Sequence, residues 1–115
     1  MIRFVPVALI LILAGCSDIC GNEVTQTVLS PSGKVAAVVF SRNCGATTGF
    51  NTQVAILPAG PKMANDPGNT FIANGTLPLT LRWQSESVLQ IGGIGNVAPL
   101  KKESQVSGVT VSYAL

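Results

Sequence analysis

The clearest pattern in the chain is an alternation past its middle: Leu77, Leu79, Leu81 and Trp83 fall on one side, Pro78, Thr80 and Arg82 on the other. A period of two marks a half-buried strand, because successive side chains of a strand point to opposite faces. Val109, Val111, Tyr113 and Leu115 repeat it opposite Thr110, Ser112 and Ala114. Residues 24–29 (VTQTVL) are rich in β-branched types and end at Ser30-Pro31-Ser32-Gly33, with Pro and Gly placed as a turn needs them. Residues 34–42 (KVAAVVFSR) are apolar on both faces for much of their length, as a central strand is. After a break at residues 43–49 (NCGATTG), residues 50–57 carry Thr52, Val54 and Ile56 on one side. Residues 70–73 and 87–91 are short strand candidates, set off by the Asn74-Gly75 turn and the polar Gln84-Ser85-Glu86 turn. Residues 58–68 (PAGPKMANDPG) form a polar loop dense in breakers. Six or seven short strands with turns between them predict an all-β, single-domain antiparallel sheet or sandwich. No stretch after Cys16 keeps a helical period.

The beginning of the chain follows a different pattern. Arg3 precedes a nearly unbroken apolar run, and the uncharged stretch at residues 4–17 is 14 residues long. Spanning a bilayer takes roughly 20. One positive charge and a short apolar core are the layout of a secretory signal peptide, read as an apolar helix ahead of the β domain. Leu13-Ala14-Gly15-Cys16 resembles the lipobox of bacterial lipoproteins at every position. That resemblance implies removal of residues 1–15, a diacylglyceryl group on the Cys16 thiol and acylation of the new amine. The domain, residues 16–115, is then anchored to the membrane through acyl chains on Cys16. In that family an aspartate directly after the cysteine favours inner-membrane retention. Here Ser17 stands there, with Asp18 one place later, which favours the outer membrane and a periplasm-facing domain.

Lipidation of Cys16 accounts for an odd number of cysteines. Of the three, Cys20 and Cys44 remain, and an oxidising compartment predicts a disulfide between them. A metal site is not expected: there is no histidine, and two thiols are too few for a structural zinc. Only Ser17, Asp18 and Ile19 separate Cys16 from Cys20, a reach of about 10–14 Å when extended. The turn at residues 43–49 is therefore expected close to the membrane, with Glu23 near Arg42. The binding surface is expected at the end away from Cys44, on loops such as residues 58–68 or 92–102.

Composition narrows the function. Without residues 1–15, six Lys and Arg stand scattered against five Asp and Glu, so no basic stripe points to nucleic acid and no polybasic segment to anionic lipid. A hundred residues suffice for one small core. Ser30-Pro31-Ser32-Gly33-Lys34 followed by Val35 to Phe40 resembles the "SPDGK" turn and strand of TolB-like propeller blades, with Ser32 where Asp is usual. Trp83 and residues 87–91 fit the continuation of such a blade, yet 100 residues cannot close a propeller of four or more blades. The resemblance implies blade-like strand order. Residues 20–57, with the run R-x-C-G-A-T-T-G-F, are similar to a group of small uncharacterised bacterial envelope proteins, a likeness that brings no activity with it.

Candidate chemistry is sparse. Cys44 beside Arg42 has the ingredients of a lowered thiol pKa, but a half-cystine at a hairpin turn is the favoured reading. Arg42, Thr47 and Thr48 are candidate binding residues, the two threonines being equally suited to capping their own turn. Residues 91–96 (IGGIGN) lack the spacing and following helix of a dinucleotide loop. Trp83 and Tyr113 lie on apolar faces and are expected in the core. No cofactor is implied. The expected function is a non-catalytic binding or inhibitor (immunity-like) protein of the cell envelope, with an envelope protein as partner. A structural or assembly accessory is the alternative and an enzyme the third.

Overall fold

The computed structural model describes residues 19–45 and 49–115. Nine strands follow in chain order: β1 (Gly21–Leu29), β2 (Val35–Asn43), β3 (Asn51–Pro58), β4 (Phe71–Asn74), β5 (Thr80–Ser85), β6 (Val88–Gly92), β7 (Lys101–Lys102), β8 (Gln105–Val106) and β9 (Val109–Tyr113). They form two sheets, ordered β1-β2-β3-β4-β7 and β5-β6-β9-β8. The all-β class read from the alternation is the observed one. β7 and β8, two residues each, are too short to show a period and bring the described strands to nine. The apolar leader and Cys16 lie outside the described residues.

The two sheets enclose one core. Ala37, Val39, Val54, Ile56 and Phe71 of the first sheet face Leu81, Leu89, Ile91, Val109 and Val111 of the second, all buried. Each is spaced by two from its strand neighbours, which is why alternation in the sequence located them. β2 and β3 are buried on their other face too. There Ala36, Val38, Phe40 and Ala55 pack under Leu57, Ala59 and Met63. The breaker-rich segment after β3 thus folds back as a strap across the outer face of the first sheet. Asn69 fixes its return, accepting from the Ile56 amide at 2.9 Å and donating to the Ile56 carbonyl at 2.9 Å. Gly68 passes so close to β3 that a Cβ there would lie 2.7 Å from the Val54 carbonyl oxygen. Only glycine fits at that approach.

All pairings of the first sheet are antiparallel. In the second, β9 lies parallel to β6, with Val88 opposite Thr110 and Ile91 opposite Tyr113. Parallel neighbours need a long crossover. Here residues 93–108 supply it, visiting the first sheet as β7 before returning as β8.

β1 is an edge strand, and its edge is blunted. The register shifts between Val24 and Gln26, a bulge at Thr25 that moves the inward-facing set from Glu23 to Gln26 and Val28. Near its two ends, side chains of Asn65 and Trp83 donate to the carbonyls of Cys20, at 2.7 Å, and Val28, at 3.0 Å. Such devices discourage another chain from adding to an edge.

Candidate functional site

Cys20 and Cys44 are joined by a disulfide. The ladder explains why they meet. Gly21 pairs with Asn43, so the residue before β1 and the residue after β2 stand opposite each other at the open end of the hairpin. The strap packs against this same end. Asn65 reaches the Cys20 carbonyl, Asn22 donates to the Asp66 carbonyl at 2.8 Å, and Arg42 donates to Asn22 Oδ1 at 2.9 Å and Asn65 Oδ1 at 3.0 Å.

Two expectations are corrected here. Residues 65 and 66 of the 58–68 loop lie at the disulfide end, not away from Cys44, because the strap must cross the sheet to cover Phe40 and Ala55. Glu23 stands opposite Ser41 while Arg42 stands opposite Asn22, so the two charges point to different faces. Of the sequence candidates, Arg42 is committed to holding the strap. Asn51 supports it from behind, its side chain accepting from the Arg42 amide at 2.9 Å. Thr47 and Thr48 lie outside the described residues.

On the inner face of the same end Glu23 pairs with Ser41, the first exposed and the second half-buried. Glu23, Ser41, Gly45, Gly49 and Phe50 help to line a cleft of about 240 Å³. It continues through Glu23, Ser41 and Phe50 into a second hollow of about 220 Å³, which also takes in Thr25, Thr52 and Leu77. A carboxylate, hydroxyls and an aromatic face are groups that bind. Among the described residues, no three His, Cys, Asp or Glu side chains gather as a metal site.

The opposite end is organised around Glu86. Its carboxylate accepts from the Ser30 hydroxyl at 2.8 Å, the Ser32 amide at 2.9 Å and the Ser32 hydroxyl at 2.7 Å. The serines in turn accept from their own turn: Val35 N–H donates to Ser30 Oγ and Lys34 N–H to Ser32 Oγ. Ser32's hydroxyl and amide, then Ser30, hold the Glu86 carboxyl below its ordinary pKa, with Lys34 adding a smaller attraction. The turn between β1 and β2 is thereby tied to the turn between β5 and β6, one from each sheet. Sequence reasoning recognised the turn and missed the clamp. Its one signal is the spacing of Ser30 and Ser32, which puts two hydroxyl donors on one turn with no acid of their own beside them. Lys34, Val35, Pro58 and Ser107 line a hollow of about 210 Å³ at this end.

Trp83 and Tyr113 are half-buried against the core. Tyr113 packs on Phe71 with ring centroids 6.0 Å apart, its hydroxyl donating to the Glu103 carbonyl at 2.6 Å. Lys102 Nζ lies 5.0 Å from the Tyr113 ring centre. The glycine run serves packing: Ile94 is buried in the core, and Gly93, at φ +83°, presses on the Pro78 carbonyl where a Cβ would clash at 2.3 Å.

No protein-family model, curated protein or solved structure matches the chain.

Proposed function

We propose that the protein is a lipid-anchored component of the bacterial cell envelope, acylated on Cys16, whose β sandwich is a non-catalytic binding or inhibitor module for another envelope protein. The order of the cysteines carries this reading. Cys16 ends a lipobox-like Leu13-Ala14-Gly15-Cys16, and the two remaining cysteines are consumed in the Cys20–Cys44 bond. A disulfide that staples the first hairpin suits an exported protein in an oxidising compartment. Ser17 after the lipidated cysteine favours the outer membrane, with the domain facing the periplasm.

The tether makes the two ends of the sandwich unequal. The disulfide end is held towards the bilayer, so the end that meets a partner is the one carrying Glu86, Lys34 and the hollow beside Ser107. This replaces the 58–68 loop as the binding candidate. Its tied turns form a surface already ordered before contact, which lowers the entropic cost of binding.

Labelling with a fatty-acid analogue tests the anchor: wild type takes up label and Cys16→Ala does not. Equal labelling of the two sinks the reading. A photocrosslinker at Lys34 tests the partner-facing end, with one at Asn65 as control. Crosslinks to the same envelope protein from Lys34 and not from Asn65 support the assignment; the reverse pattern contradicts it.

A further inference from the structure

The geometry points to direct docking of the disulfide end on the lipid surface, with Phe50 and Ile19 buried among the lipids. This rests on the acylation of Cys16 proposed above and adds a second membrane contact, made by the folded domain itself.

Three observations combine. First, the tether is short: three residues between Cys16 and Cys20 let the domain rise only about 10–14 Å from its acyl chains. The disulfide removes the slack, because Cys20 is bonded into the hairpin. Second, large apolar side chains stand exposed at this end. Phe50 is 79 % exposed and Ile19 70 % exposed. Ile19 directly precedes the disulfide, and Phe50 shares a cleft with Gly21 and Gly45, the neighbours of the two half-cystines. A lone exposed apolar residue is ordinary on a protein surface. Two pinned at the tethered end, within reach of the bilayer, have an apolar phase to enter.

Third, the charges nearby nearly cancel. Lys62 lines the outer side of this end with Gly21 and Asn65, and Asp66 holds its place in the strap beside Asn22. Arg42 and Glu23 add one charge of each sign, and Asp18 of the tether leaves the end with one negative charge in excess. Attraction to anionic headgroups is therefore weak, and the contact is driven by apolar burial. Docking should be the same on neutral and on anionic lipid. An amphipathic contact of this kind adds to the acyl chains by burying side chains at the headgroup boundary.

The test uses the full acylated protein in phosphatidylcholine vesicles. The chain contains one tryptophan, Trp83, whose indole donates to Val28 on the half of β1 remote from the disulfide. It serves as an internal reference. Phe50→Trp should add a blue-shifted emission component that brominated phosphatidylcholine quenches, while wild-type emission is unaffected by bromination. Ile19→Trp should behave alike, and both effects should persist when anionic lipid is added. Emission at position 50 that is quenched by aqueous iodide and not by brominated lipid, on protein whose acyl mass is confirmed, would overturn the docking and leave the anchor intact. A blue shift that depends on protein concentration and ignores bromination would instead assign the patch to a second copy, and also overturn it. Protein lacking the acyl mass would remove the anchor reading itself.

Discussion

At the scale of single residues, the Glu86 clamp has the sharpest consequence. Two serine hydroxyls and an amide favour the charged carboxylate, so its folded pKa lies below its unfolded one. The unfolded chain then binds the proton more readily. The clamp's contribution is complete above the ordinary carboxylate range and is lost as pH falls through the lowered folded value. Glu86→Gln should lower the melting temperature at neutral pH and narrow the difference from wild type on acidification, followed by thermal unfolding from roughly pH 7 to pH 3. A difference that stays constant with pH would mean the clamp acts through shape alone. Tyr113 runs the other way. Burial first, and the nearby Glu103 charge second, push its phenol up to about 12. Its effect on stability is present below the ordinary tyrosine value of about 10 and fades as pH rises through 12. It is the chain's one tyrosine, so absorbance of the phenolate should titrate as a single step near 12. A midpoint near the unperturbed value would place its ring in solvent.

At the scale of elements, the first hairpin is the unit to perturb. Its turn is clamped by Glu86 and its open end by the disulfide. Reduction, or the pair Cys20→Ser and Cys44→Ser, should cost about 3.5 kcal/mol by the loop-entropy estimate for a loop of this length. Chemical denaturation should show this as a lower midpoint with a largely retained strand signal before unfolding. A midpoint unchanged by reduction would mean the ladder alone fixes the end. This is also the scale at which sequence was most informative. Leu79, Leu81 and Trp83, then Val109 and Val111, were legible because one face of each strand is buried and alternation follows. The two-sided apolar run in β2 was legible as central. It also implied a cover for Phe40 and Val38, yet residues 58–68 read as free loop because Pro, Gly and Asn separate the two side chains, Ala59 and Met63, that pack on that face. β7 and β8 are too short for any period. The parallel pairing of β6 with β9 depends on where a 16-residue crossover, residues 93–108, travels, and local pattern does not encode that. At the candidate site, the disulfide was legible from counting cysteines. The roles of Arg42 and Glu86 were not, since both depend on partners 20 or more residues away.

At the scale of the whole molecule, the two sheets are joined by a shared core and by polar ties at one side. Trp83 reaches Val28, Gln26 reaches the Leu79 carbonyl, and Glu86 reaches Ser30 and Ser32. These ties keep the far turns in register with the disulfide end, so the tether we propose at one end would orient the other. The central claim is that Cys16 is the anchor from which this geometry is set. Intact mass and peptide mapping of the protein purified from membranes test it most directly. The account predicts a chain that begins at Cys16, carries a diacylglyceryl group and an amide-linked acyl chain on that residue, and holds Cys20 bonded to Cys44. A chain that retains residues 1–15, or one with a free Cys16 thiol, would contradict it.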